Sequence, residues 1–314
     1  MRRMTLVQPE RFAPVFAAAC LLCWLVTSTV AGDDTGASPA SQRSRSARVS
    51  ALKPIAPDFE SDVVARPVAT DGHPLASVLE FARSERDYLR RTVHDFTCRL
   101  VKRERIDGFL QDYQFIDMRV REAVHEQGQI VVPLSIYLVF LGPAKVAGRQ
   151  VLFIEGKNDG KILVRNGGKH FDYVTVQVDP DSENARSESL VPITETGFNR
   201  VLNHMIDVLD RHQRVDAAGS NTVVNRVPGV KINKRPSTMI KIVHPKKQDG
   251  LEFHIANVYT DDELRVPVRV EYYDWIKWQG QTPPLIAEYT YTNLKLNANL
   301  TDAAFSPAVF RDKR

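Results

Sequence analysis

From Phe96 onward the apolar side chains fall at every second position. In Phe96-Thr97-Cys98-Arg99-Leu100 they alternate with polar ones, and the run closes on Asp107-Gly108. A period of two belongs to a β-strand with one buried face, and Asp-Gly is a tight hairpin signal. Alternating or turn-bounded β-rich runs recur at 114–120, 135–141, 150–155, 161–165 and 171–178, with Asn158-Asp159-Gly160 as a second tight turn. Others follow at 239–243, 252–259, 266–273 and 286–296, with Thr260-Asp261-Asp262 as a turn. Strands joined in this way form an antiparallel meander with one wet and one dry face.

Two segments carry a helical period instead. After His73-Pro74, the residues Leu75, Val78, Leu79, Ala82, Leu89 and Val93 lie on one stripe, and Pro74 suits a first helical turn. Between Glu195 and Leu209, Phe198, Val201, Leu202, Met205, Val208 and Leu209 form another stripe, with Thr194 as the expected N-cap. The order is helix, about six strands, helix, about four strands and a short tail at Leu300–Phe305. That reads as one α+β domain over 72–314, a curved antiparallel sheet whose helices gather on the concave face and bury both stripes there.

The start of the chain is different. Arg2, Arg3 and Arg11 lead into an apolar run from Phe12 to Ala31, so residues 1–31 read as a signal peptide or an N-terminal membrane anchor. Thr29-Val30-Ala31 supplies small residues for cleavage. A span of residues 12–31 is also long enough to cross a bilayer uncleaved, and Ala18-Ala19-Cys20 distantly resembles a lipoprotein processing site. Residues 32–71 are rich in Ser, Ala, Pro, Arg and Asp without an apolar period, and read as a disordered tether. The expected location is exported: periplasm or cell envelope.

Composition excludes several function classes. With 43% hydrophobic and 25% charged residues the chain is an ordinary globular protein. The net charge of +4 comes down to 39 basic against 37 acidic residues once 1–31 are set aside, which does not suit nucleic acid. Lys102-Arg103-Glu104-Arg105 and Lys246-Lys247 are short and read as solvated faces. Cys98 is the only cysteine after residue 31, so no intramolecular disulfide framework exists there and Cys98 reads as a buried apolar side chain.

No catalytic or metal motif stands out. The eight histidines show no zinc-site spacing, His204 and His212 included; no G-x-S-x-G elbow presents a serine; and Gly156 to Lys161 sits between strands rather than before a helix. No metal, cofactor or catalytic residue is expected. The aromatic cluster Tyr272-Tyr273-Asp274-Trp275 with Trp278 belongs either to the core or to an apolar or carbohydrate site. Ile136, Leu138 and Phe140 face either an open cavity or a filled one.

Three segments carry a resemblance: FTCRLVKRERIDG at 96–108, FLGPAKVAGRQVLFIEGKNDGKILV at 140–164 and EYTYTNLKLNANLTDAAF at 288–305, with VPITETGF at 191–198. From His73 to the end the chain resembles secreted planctomycete proteins grouped as domain of unknown function 1571. The closing pattern VRVEYYDW, EYTYTNLKLN, LTDAAF is more distantly similar to the lipoprotein-carrier superfamily that includes LolA, LolB and the RseB sensor. That resemblance implies an unclosed β-barrel with helices over its concave face, holding acyl chains in an apolar cavity. Phe96, Cys98, Leu100, Ile116, Met118, Ile136, Leu138, Phe140, Tyr273 and Trp275 would line it. The long tether, the insert at 179–190 and the 221–235 segment depart from the simple carriers.

The functional expectation is a non-enzymatic envelope protein that carries or senses a lipid, lipoprotein or other apolar ligand. The alternative is a protein-interaction or regulatory module with a filled core, and a hydrolase ranks behind both. Expected partners are a lipid or lipoprotein or an envelope protein, without nucleic acid. Membrane contact would run only through the N-terminal segment if it is uncleaved.

Overall fold

The computed structural model describes residues 52–59, 65–67, 72–167 and 174–311. The signal or anchor at 1–31 and much of the tether lie outside these. Two short strands come first, β1 (Asp58–Phe59) and β2 (Arg66–Pro67), followed by helix α1 (Ala76–Thr92). Then come β3 (Asp95–Ile106), β4 (Phe109–Leu110), β5 (Gln114–Arg121), β6 (Val124–Glu126), β7 (Gln129–Val132), β8 (Ser135–Gly142), β9 (Gln150–Ile154), β10 (Ile162–Arg165) and β11 (Thr175–Val178). A helical turn α2 (Glu183–Arg186) and the long helix α3 (Phe198–Val215) precede β12 (Val223–Ile232), β13 (Arg235–Val243), β14 (Ile255–Asp261), β15 (Pro267–Tyr273) and β16 (Leu285–Leu296).

The main sheet runs β1-β12-β13-β14-β15-β16-β3-β5-β8-β9-β10-β11, antiparallel throughout, with β2 also on β12 and β4 on β3. It is curved and does not close. The last strand lies beside the first long one, Ala287 opposite Glu104 and Leu296 opposite Phe96, so β16 and β3 join the two halves of the chain. The helices lie against one face. The Phe96 and Phe198 rings are 4.5 Å apart, and the apolar stripes of α1 and α3 share one core with the inward residues of the strands. The sheet, its curvature and the helix cover are those expected.

Five features depart from the sequence reading. The strand Val223–Ile232 was not among those expected: Pro228-Gly229 interrupts its pattern, and its register shifts between Val227 and Val230. The N-cap of helix α3 falls three residues after the expected Thr194; Gly197, with φ 112°, holds that position without a side-chain cap of its own. The outer face is not uniformly wet. Tyr137, Leu152 and Leu163 on it form a second apolar cluster with Phe305, Val309 and Phe310 of the C-terminal tail.

Lys102 and Glu104 are not solvated. Both are buried, because the period of two that turns Phe96, Cys98 and Leu100 inward turns them inward as well. Part of the segment read as a tether also lies on the sheet. β1 and β2 pair with β12, and the Ile55 carbonyl accepts a 2.7 Å hydrogen bond from Arg269.

Candidate functional site

None of the ten residues expected to line a cavity borders the cleft or the groove described below. Phe96, Cys98, Leu100, Ile116, Met118, Ile136, Leu138 and Phe140 are buried in the core beneath the helices, so the concave face is filled there. Tyr273 faces the other way and donates to Glu271 at 3.1 Å. Trp275 is buried at the strand end, where its indole N–H donates to the His244 carbonyl at 2.9 Å. Trp278 stands out in solvent.

The helices leave the sheet uncovered elsewhere. A cleft of about 350 Å³ opens between α1 and β12–β14, lined by Ser77, Val78, Phe81, Ile240 and Thr260 among others. A void of about 40 Å³ continues it inward to Leu202, Met205, Leu209, Ile242 and Val258, and the two share Val78, Phe81, Glu85, Ile240, Thr260 and Arg265. One signal for it was present in the sequence: Phe81 is a large apolar side chain off the buried stripe of α1.

Three charged groups at the rim are paired. Arg265 makes two hydrogen bonds to Glu85, 2.6 and 3.0 Å long, and its guanidinium stacks 4.0 Å from the Tyr88 ring centre. Asp261 is buried, which by itself raises its pKa. The Arg235 side chain and the N–H groups of Leu264 and Glu263 outweigh this and hold it below the usual carboxylate range. The cleft therefore has an apolar floor, and of its rim charges Arg265, Glu85 and Asp261 are paired within the protein, while Arg226 and Asp262 are exposed.

A second, polar groove of about 710 Å³ runs along the N-terminal half of α3, lined by Glu122, His125, Asn199, Arg200, Asn203 and His204 among others. Some of its charges are committed: Glu155 takes Arg200 at 2.7 Å and His125 at 3.3 Å, and Glu122 accepts the Phe198 N–H. Burial lowers the pKa of His204, with Arg211 adding to the effect. Among the described residues, no group of three or more His, Cys, Asp or Glu is placed to hold a metal ion.

Other polar groups are closed off. Lys102 donates to Glu104 at 2.7 Å and to Ser189 at 3.1 Å, and Tyr289 donates to Glu104 at 2.7 Å, all buried. This cluster clips the insert before α3 onto β3 and β16. It opens onto neither the cleft nor the groove.

The family described as protein of unknown function, DUF1571, matches residues 93–310. The chain belongs to that family. The cleft is therefore bounded by strands within the family region and by α1, which precedes it.

No curated protein matches the chain. Among solved structures it is similar to a DUF1329 family protein from Desulfovibrio piger, at 13% identity and TM-score 0.35, over 76% of this chain and 99% of that one. It is also similar to a putative outer membrane lipoprotein-sorting protein domain from Vibrio parahaemolyticus, at 13% identity and TM-score 0.33, over 74% and 98%. A LolA superfamily protein from Nitrosomonas europaea aligns at 10% identity and TM-score 0.31, over 74% and 98%. No helix among the described residues is long and apolar enough to cross a membrane.

Proposed function

We propose that this member of the DUF1571 family is a non-enzymatic binding protein of the cell envelope that takes one lipid acyl chain, or a comparable apolar ligand, into the cleft between α1 and β12–β14. The continuity of that cleft with the inner void along Val78, Phe81 and Ile240 carries the reading. Its volume falls within the range of roughly 300–1,000 Å³ common for small-ligand sites. Burial alone supplies the affinity. At about 0.8 kcal/mol per methylene, some ten methylenes contribute on the order of 8 kcal/mol, a micromolar dissociation constant. The filled concave face leaves the rest of the half-barrel as scaffold, and the reading of residues 1–31 as a signal peptide or membrane anchor supports an envelope location.

The test is solvent extraction of the purified full chain followed by mass spectrometry, together with displacement of a fluorescent fatty acid. A bound acyl ligand is expected, and Ile240→Trp, which fills the cleft, is expected to abolish displacement while the thermal midpoint stays within a few degrees. No lipid and no displacement by the wild type overturns the reading in favour of a protein-interaction module. Unchanged displacement by the variant moves the site elsewhere.

A further inference from the structure

Three turns leave the sheet at one end, because the antiparallel register sets the close of β3 beside the start of β16, and the closes of β13 and β15 beside the starts of β14 and β16. Two of these turns push large apolar side chains into water. Phe109, after β3, is 75% exposed, and in the loop between β15 and β16 Ile276 is 47% and Trp278 62% exposed. A lone exposed apolar residue needs no explanation, but three gathered at one end of one sheet call for one.

Hydrogen bonds hold the loop that carries Ile276 and Trp278. The Asp274 N–H donates to the Pro284 carbonyl at 2.8 Å and the Lys277 N–H to the Gln281 side chain at 2.8 Å. The Trp275 indole ties this loop to the His244 carbonyl, at the start of the loop that bears Lys246 and Lys247. The exposure of Trp278 is thus built into an ordered turn.

The charges beside it are mostly positive. Lys246, Lys247 and Lys277 are exposed, against one exposed aspartate, Asp249. Asp274 is half-buried and accepts the Trp275 N–H at 2.8 Å. At the Phe109 hairpin the exposed Asp107 and Asp112 stand against the half-buried Arg103 and Arg105.

We propose that this end of the sheet docks onto an anionic phospholipid bilayer, with Trp278, Ile276 and Phe109 entering the headgroup layer and Lys246, Lys247 and Lys277 meeting lipid phosphates. Tryptophan favours that layer because its ring is apolar and its N–H polar, and basic residues are drawn to an anionic leaflet. Separate loop tips suit a fluid surface that moulds around them. This contact is independent of the apolar run at 12–31 and of the cleft, whose rim residues Asp261, Asp262 and Arg265 lie at the other end of β14.

The test uses the full chain with vesicles of phosphatidylcholine, with and without phosphatidylglycerol, so that any contribution of the N-terminal run is common to all samples. Quenching by brominated acyl chains is read as the difference between wild type and Trp278→Phe, which cancels Trp24 and Trp275, and amide exchange is followed over 274–284. Quenching and slowed exchange are expected on phosphatidylglycerol vesicles, reduced several-fold in the Lys246→Glu, Lys247→Glu, Lys277→Glu triple variant with an unchanged thermal midpoint. A zero difference overturns the proposal and assigns the patch to a protein or polysaccharide. Equal quenching on both vesicles, or full quenching in the triple variant, overturns it as well.

Discussion

The carboxylate of Glu122 accepts the backbone N–H of Phe198 at 2.6 Å across 76 residues of sequence, and so caps the first turn of α3 from the end of a strand. Gly197 leaves room for it: a Cβ there would lie 2.9 Å from the Glu122 carboxylate. Glu122→Ala is expected to cost about 1–2 kcal/mol, the usual range for a lost cap, and Glu122→Gln much less. Urea unfolding of both variants checks this.

The same group sets a pH dependence. Burial pushes the Glu122 pKa from 4.5 up to about 7, against the opposing pull of the Phe198 and Asn199 N–H groups. Between those values the folded state holds a proton that the unfolded state releases, so this contribution is full below 4.5 and is lost as the pH rises to about 7. Thermal melts across that window should show wild type losing stability relative to Glu122→Gln as the pH rises. Parallel curves would rule out a titrating cap.

Two buried histidines act with the opposite sign. Glu252 donates its N–H to Nε2 of His212 at 3.1 Å, which places the His212 proton on Nδ1, 3.0 Å from Nε2 of His244. His244 in turn has Nδ1 3.2 Å from the Asn221 carbonyl. Burial, helped by the neighbouring His244 and Arg211, depresses the His212 pKa from 6.5 to about 3. Stability from His212 is present above 6.5 and falls as the pH drops toward 3, by about 1.4 kcal/mol for each pH unit at most. His212→Gln, measured by urea unfolding at a series of pH values, should flatten this acid limb even if it lowers stability at neutral pH.

The Lys102–Glu104 pair should behave as a buried ion pair. Lys102→Met leaves Glu104 with Ser189 and Tyr289 but without its cation, at an expected cost of about 3–5 kcal/mol. The double change Lys102→Met, Glu104→Leu should recover much of that loss, and a double-mutant cycle in urea measures it. Additive losses would show that the two charges do not depend on each other.

Cys98 reports on whether the concave face is filled. It is buried among Phe96, Leu100 and Met118 beneath the helices. In a chain carrying Cys20→Ser and Cys23→Ser, a thiol reagent should leave it untouched under native conditions and modify it only in urea. Rapid native reaction would mean that the face opens.

The first helix and most of the strands were legible because their signals are local. Leu75 to Val93 keep one stripe, and Phe96 to Leu100 alternate whatever lies around them. β12 was not legible, since Pro228-Gly229 and a register shift break its period and its place comes from pairing with β13. Even where the pattern was clear, charge misled: Lys102 and Glu104 continue the inward phase of Leu100, yet were read as solvated.

The cap, the cleft and the exposed patch depend on distance in space. The cap of α3 was sought at Thr194 and is supplied by Glu122, which the fold brings up from β5. The cleft exists because α1 and β12–β14 leave a gap, while eight of the residues first assigned to a cavity are packed in the core beneath the helices. Composition and periodicity determine which faces are apolar, because those are properties of neighbours along the chain. Whether an apolar face ends up packed, lining a cleft or turned to solvent was decided only when elements far apart in sequence met, because a void is a property of what fails to touch.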